Sequence, residues 1–181
     1  PLPIFVRLSD LNDHIRTARV QGGAPTLPHQ PGWLPHFLCS AWHDACPDAD
    51  EAFFRTVLEQ GRGAVLLDGL DEAPSEADRR TLVQLIESAA AAYDKCRFVV
   101  TSRPTAVQGP SVLPGFAQVG IAPLEMDAVE VFLGRWCQAL FPDDAGRAEK
   151  HLAELLTALR SRADIRRLAR NPVMLTALAV V

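Results

Sequence analysis

Three carboxylates follow a short apolar run in this chain, and their spacing is the first sign of chemistry. The segment Gly63 to Glu72, read with Ala73 and Pro74, is GAVLLDGLDEAP. Ala64, Val65, Leu66 and Leu67 form a run short enough for a strand buried on both faces, the pattern of a parallel sheet with helices above and below. The run ends in Asp68, with Asp71 and Glu72 close behind. A carboxylate at the C-terminal end of a buried parallel strand stands where open α/β sheets bind their ligands. In phosphate-handling folds such an aspartate holds Mg²⁺, and a nearby acid orients the attacking water. Asp68 is therefore the candidate metal contact, acting through water because Mg²⁺ keeps several of its waters. Asp71 or Glu72 is the candidate catalytic base. Two aspartates separated by a single residue would instead suggest an aspartyl phosphatase; the wider spacing of Asp68 and Asp71 disfavours it.

A second group with a phosphate-binding character is Thr101-Ser102-Arg103-Pro104, at the end of the apolar run that starts at Arg97. A guanidinium there can make a bidentate contact to a terminal phosphate. Ser102 and Arg103 are the candidate nucleotide contacts. A third pattern, His36, Cys39, His43 and Cys46, has metal-like spacing. On one continuous helix its ends would lie roughly 15 Å apart at the α-helical rise, so a single zinc cannot collect all four. Only a neighbouring pair such as Cys39 and His43 could share a metal, and a structural role is the expectation. No nucleophile motif of the G-x-S-x-G kind is present.

The elements that must position these groups alternate. Pro3 to Leu8 reads as a strand, Ser9 to Val20 as a weak helix, and Gln21 to Gly32 as a Pro- and Gly-rich loop. Helices are expected over Trp33–Ala45 and Glu51–Gln60, followed by the strand 64–68. Ser75 is a good N-cap for a helix whose apolar face is Leu82, Leu85, Ile86, Ala89 and Tyr93. Arg97–Thr101 is a second buried-type strand, and Ala117–Ile121 a candidate third after it. From there the pattern is helical throughout. Val129, Phe132, Leu133, Trp136 and Leu140 share one face, and Leu152, Leu155, Leu156 and Leu159 another. A short helix near Ile165–Ala169 precedes Pro172, which suits the first turn of a last apolar helix. Strands alternating with helices and then helices alone imply an α/β layer domain followed by a helical lid.

Bulk properties bound the function. A chain of 181 residues, 48% hydrophobic, can bury a core of one domain or slightly more. Its formal charge of −4 argues against a dominant nucleic-acid footprint. The five arginines between Arg160 and Arg170 read first as a solvated helix face. The apolar stretches are too short to span a membrane, and no signal peptide is expected. The four cysteines show no CxxC pairing, which suggests reduced, buried thiols in a cytoplasmic protein. Both ends read as if cut from a longer polypeptide.

Taken together, these motifs resemble the NACHT domains of the STAND signal-transduction NTPases. PLPIFVRL at Pro1–Leu8 looks like the strand after the P-loop helix, and GAVLLDGLDE like the NACHT form of the Walker B motif. RFVVTSRP at Arg97–Pro104 looks like the sensor-1 strand, with Arg103 as its phosphate sensor. Pro123-Leu124 and the helix after them are similar to the start of the family's small helical domain. Asn171-Pro172-Val173-Met174-Leu175 resembles the segment whose proline packs near the adenine. The resemblance implies a P-loop NTPase-type (ASCE) parallel sheet flanked by helices, with residues 1–122 a partial nucleotide-binding domain and 123–181 a truncated helical lid. It also implies ATP (or another NTP) with Mg²⁺, slow hydrolysis, and self-association that activates an effector outside this segment in response to an unknown trigger. Such proteins act as defence sensors in bacteria and in animal immunity. One departure stands out: G-x-x-x-x-G-K-[ST] occurs nowhere in the chain, so the phosphate cradle and its lysine are absent from it. A crossover of about thirty residues or more puts the expected central P-loop strand upstream of Pro1. The segment alone is expected to bind ATP poorly and to fold poorly. A non-hydrolysing scaffold, or a transcriptional regulator whose DNA-binding module lies elsewhere, remains open.

Overall fold

The computed structural model describes residues 1–19, 24–103 and 113–180. The expected end of the first helix at Val20, the first loop residues and Pro104 lie outside that set. The chain divides into two compact units, Pro1–Gln118 and Val119–Val181.

In the first unit, β1 (Leu2–Arg7), β2 (Gly63–Asp68) and β3 (Arg97–Val100) form a three-stranded parallel sheet in the order β1-β2-β3. Pro3 sits in β1, which pairs with β2 alone among the described residues; a proline costs a ladder bond, so an edge is where one is tolerated. The order follows from the crossovers. α1 (Leu8–Ala18), α2 (Trp33–Trp42) and α3 (Glu51–Glu59) lie between β1 and β2, and α4 (Glu76–Ala92) between β2 and β3. Parallel neighbours require such connections, and the helices carry the apolar stripes that cover the sheet. Ser75 caps α4 as expected, its hydroxyl accepting from the Asp78 amide at 3.1 Å.

The parallel sheet flanked by helices agrees with the sequence, but the burial does not follow the two-sided expectation. Two register rows, Ile4–Val65–Phe98 and Val6–Leu67–Val100, face one core together with Leu8, Leu11, Trp33, Leu38, Leu82 and Ile86. The row between them, Phe5–Leu66–Val99, is 53%, 40% and 53% exposed. Side chains alternate across a strand, and the described helices bury only one of the two faces. The continuous run Ala64–Leu67 is therefore half core and half surface.

Two further expectations are corrected. Ala117–Ile121 forms no strand; Val119 and Ile121 are 90% and 102% exposed. Apolar residues alone do not make a strand without a ladder to pair with, and none of the described strands pairs there. The α2 helix stops at Trp42, short of Ala45, so His43 and Cys46 fall in its cap and the following turn. Of the cysteines only Cys137 is buried, and Cys46 is exposed.

The second unit is helical: α5 (Met126–Leu140), α6 (Ala145–Ser161), α7 (Ala163–Ala169) and α8 (Pro172–Val180). Val129, Leu133, Leu159, Ala169, Leu175 and Ala179 form its core. Pro172 opens α8, where its missing N–H costs nothing, and the Asn171 carboxamide oxygen accepts from the Val173 and Met174 amides at 2.9 and 3.2 Å. The arginine cluster is only partly a solvated face. Arg160 and Arg162 make exposed ion pairs with Glu130 and Asp164. Arg170 is half-buried and clasps the start of the unit, donating to Leu124 O at 2.9 Å and to Glu125 at 2.8 Å.

Candidate functional site

β2 ends at Asp68, and the chain turns at once because Gly69 adopts a left-handed conformation, φ 81° and ψ 47°. A side chain at Gly69 would be strained there and would also press on the Glu72 carboxylate, 3.0 Å from an added Cβ. The turn continues as one 3₁₀ turn, Leu70–Glu72. Leu70 is 2% exposed and anchors it in the core, so the acids on either side of Leu70 are held by a buried residue.

Thr101, the residue after β3, ties this turn to the next strand. Its amide donates to Leu67 O at 2.9 Å, and its carbonyl accepts from the Leu70 amide at 3.0 Å. Its hydroxyl accepts from the Gly69 amide at 3.1 Å and donates to Asp68 Oδ1. Among the described residues the other Asp68 oxygen has no partner.

Asp71 and Arg103 meet directly. The Arg103 amide donates to Asp71 Oδ1 at 3.0 Å, and its Nε lies 3.3 Å from Asp71 Oδ2. The Asp71 side chain is 14% exposed and that of Arg103 79%, so the carboxylate is sheltered while the guanidinium faces outward with its terminal nitrogens free among the described residues. Arg79, on the first turn of α4, donates to the Asp71 carbonyl at 3.3 Å. Glu72 is exposed and enters no ion pair among the described residues.

Asp68, Asp71, Glu72 and Arg103 thus lie at one end of the sheet. The Ser102 hydroxyl is not part of that group; its hydrogen bond is to Arg103 O, at 3.4 Å. Pro172 belongs to the second unit. Thr101 enters the sequence pattern only as the close of a strand, with no role of its own, and Arg79 does not stand out there. A threonine closing a strand is commonplace, and an arginine on a helix reads as solvated; only the register of β2 with β3 reveals the first, and only the turn geometry the second.

The donor chemistry suits a hard cation. Asp68 offers one unengaged carboxylate oxygen, and Mg²⁺ is ordinarily held by one or two carboxylates plus waters and phosphate oxygens. No group of three or more His, Cys, Asp or Glu side chains among the described residues converges as a full protein cage, which such a site does not require. His36 and Cys39 of the metal-like pattern go elsewhere. The His36 ring is hydrogen-bonded to His14 of α1 at 2.8 Å, and Cys39 packs on the core.

A family model described as NACHT domain matches residues 4–140, well over half of the chain. No curated protein and no solved structure matches it.

Proposed function

The chain belongs to the NACHT domain family, and from that premise we propose that it is the core of a nucleotide-dependent switch of the STAND NTPase type. In this reading the full-length protein binds ATP with Mg²⁺ and hydrolyses it slowly. It self-associates in the nucleotide-bound state to turn on an effector carried outside these residues, as a cytoplasmic defence sensor. The observation that carries the reading is the Arg103–Asp71 pair beside Asp68 at the end of a parallel sheet.

Each residue has a distinct task. Asp68, its Oδ1 held by Thr101, presents the other oxygen to Mg²⁺ or to one of its waters. Bound Mg²⁺ supplies charge neutralisation at the phosphate oxygens. Arg103 directs its free terminal nitrogens at the terminal phosphate, and Asp71 fixes the guanidinium in that direction. Because both Asp71 oxygens are committed to Arg103, Glu72 is the better placed of the two acids to orient an attacking water. Pro172 stays a candidate adenine contact through the family resemblance of its segment alone. Ser102 supports the backbone between Thr101 and Arg103.

The same commitment of Asp71 favours one alternative, a scaffold that binds nucleotide without turnover, since binding does not need a free base. The test is the full-length protein with Asp68→Asn, assayed for Mg²⁺-dependent ATP hydrolysis and for retained nucleotide. The switch predicts a large loss of turnover. Turnover equal to wild type would remove Asp68 from the mechanism, and a wild type that retains nucleotide but never hydrolyses it would favour the scaffold.

A further inference from the structure

A pair of facing imidazoles stands outside the nucleotide reading and is independent of it. His14 on α1 and His36 on α2 bring Nε2 and Nδ1 to 2.8 Å. Both rings are half-buried, and that contact is the one side-chain hydrogen bond either makes among the described residues. Neither pairs with a carboxylate among them. Two nitrogen ligands from different helices thus converge with no other polar group competing for them. The spacing of His36, Cys39, His43 and Cys46 along the chain does not bring them together; the packing of α1 on α2 does.

Buried neighbours hold the rings. Trp33 is fully buried, and its Nε1 donates to Leu27 O at 2.8 Å, which fixes the first turn of α2. Its ring lies edge-on to both imidazoles, with centroids 6.1 Å from His14 and 5.4 Å from His36. Phe37 stands edge-on to His14 at 5.4 Å. Leu11 and Ile15, which flank His14 on α1, are anchored in the core. Packing of this kind around metal-binding imidazoles fixes their orientation and lowers the cost of ordering them.

The spacing discriminates between metals. Two nitrogens bound to one ion at about 2.0–2.1 Å stand about 2.9 Å apart when cis in a square or octahedral shell, and about 3.4 Å apart in a tetrahedral one. The 2.8 Å between the two rings matches the former. We propose that His14 and His36 form a two-imidazole site for a divalent transition metal of tetragonal preference, Cu(II) or Ni(II), which clamps α1 to α2. Each ring turns slightly off the N···N line. The ring that donates in the metal-free pair shifts its proton to its other nitrogen, so both facing nitrogens present lone pairs. No third His, Cys, Asp or Glu joins them among the described residues, so water fills the remaining positions.

The test uses the full-length protein, with Ni(II) or Cu(II) alone as the probe. In calorimetric titration with Ni(II), His14→Asn and His36→Asn, each with its fold checked by circular dichroism, are each expected to weaken binding about tenfold or more. Because the ion binds the folded chain, Ni(II) should also raise the Tm of wild type more than that of either variant. A second measurement needs no substitution and so guards against variants that fail to fold. At one equivalent of Cu(II), the electron paramagnetic resonance spectrum of wild type should show tetragonal symmetry and coupling to two imidazole nitrogens. Undiminished binding by either folded variant would overturn the proposal. So would coupling to fewer than two imidazole nitrogens, the mark of an adventitious ion only, or Zn(II) held more tightly than both Ni(II) and Cu(II).

Discussion

Thr101 is the residue on which the candidate site turns. Its hydroxyl is shared between the Gly69 amide and the Asp68 carboxylate, so it fixes which way Asp68 points. Thr101→Val keeps the shape and removes both bonds. We expect a stability loss near 1 kcal/mol, the net worth of such hydrogen bonds, yet a drop of about tenfold or more in Mg²⁺-dependent turnover, because small displacements of a positioned group are costly. Urea unfolding and steady-state hydrolysis on the full-length protein separate the two effects; unchanged turnover would mean that Asp68 needs no orienting. The acids and Arg103 could be picked out as candidates in the sequence because two polar strand ends occur together, a carboxylate cluster after one apolar run and a Ser-Arg turn after the next, and the structure brings them to one end of the sheet. The role of Thr101 could not, since a hydroxyl becomes informative only once its strand is in register with another. A different residue-scale effect concerns His14. Burial first, and then the neighbouring His36 charge, hold its imidazole below the ordinary value of 6.5. Between that value and the lowered folded-state value the unfolded chain binds more protons, so stability is full above about pH 6.5 and is lost as the pH falls towards the folded-state value. The melting temperature of wild type should therefore fall more than that of His14→Asn between about pH 7 and about pH 5. Parallel curves would contradict the assignment.

At the scale of elements, the sheet is one-sided among the described residues, and its neighbouring leucines separate the two faces. Leu67 is 2% exposed and Leu66 40%. Leu67→Ala should cost about 2–5 kcal/mol, the range for deleting a buried leucine, whereas Leu66→Ala should stay near or below about 1 kcal/mol. Equal losses measured by chemical denaturation would show that the second face is also packed in solution. The apolar run Ala64–Leu67 could not reveal this difference, because a strand covered on both faces and one covered on a single face can share the same residues when the open face is apolar. The helices were more readable. Ser75 and Pro172 mark starts through local backbone chemistry, which depends on a few neighbouring residues. Ala117–Ile121 failed for the opposite reason, since a strand depends on a distant partner that no local pattern reports.

At the scale of the whole chain, membership of the NACHT family unites the α/β unit with the start of the helical unit, for the matched residues run from the first strand to the end of α5. No helix among the described residues is long and apolar enough to cross a membrane. The chemical claim at this scale is that the Asp68 and Arg103 side chains, on separate strand ends joined through Thr101 and Asp71, act on one nucleotide. A double-mutant cycle on the full-length protein, Asp68→Asn and Arg103→Ala singly and together, measures that in the Mg²⁺-dependent ATPase rate. The account predicts that each change lowers turnover by about a hundredfold and that the pair costs clearly less than the product of the two. Wild-type turnover in either single variant, or losses that multiply independently, would contradict it.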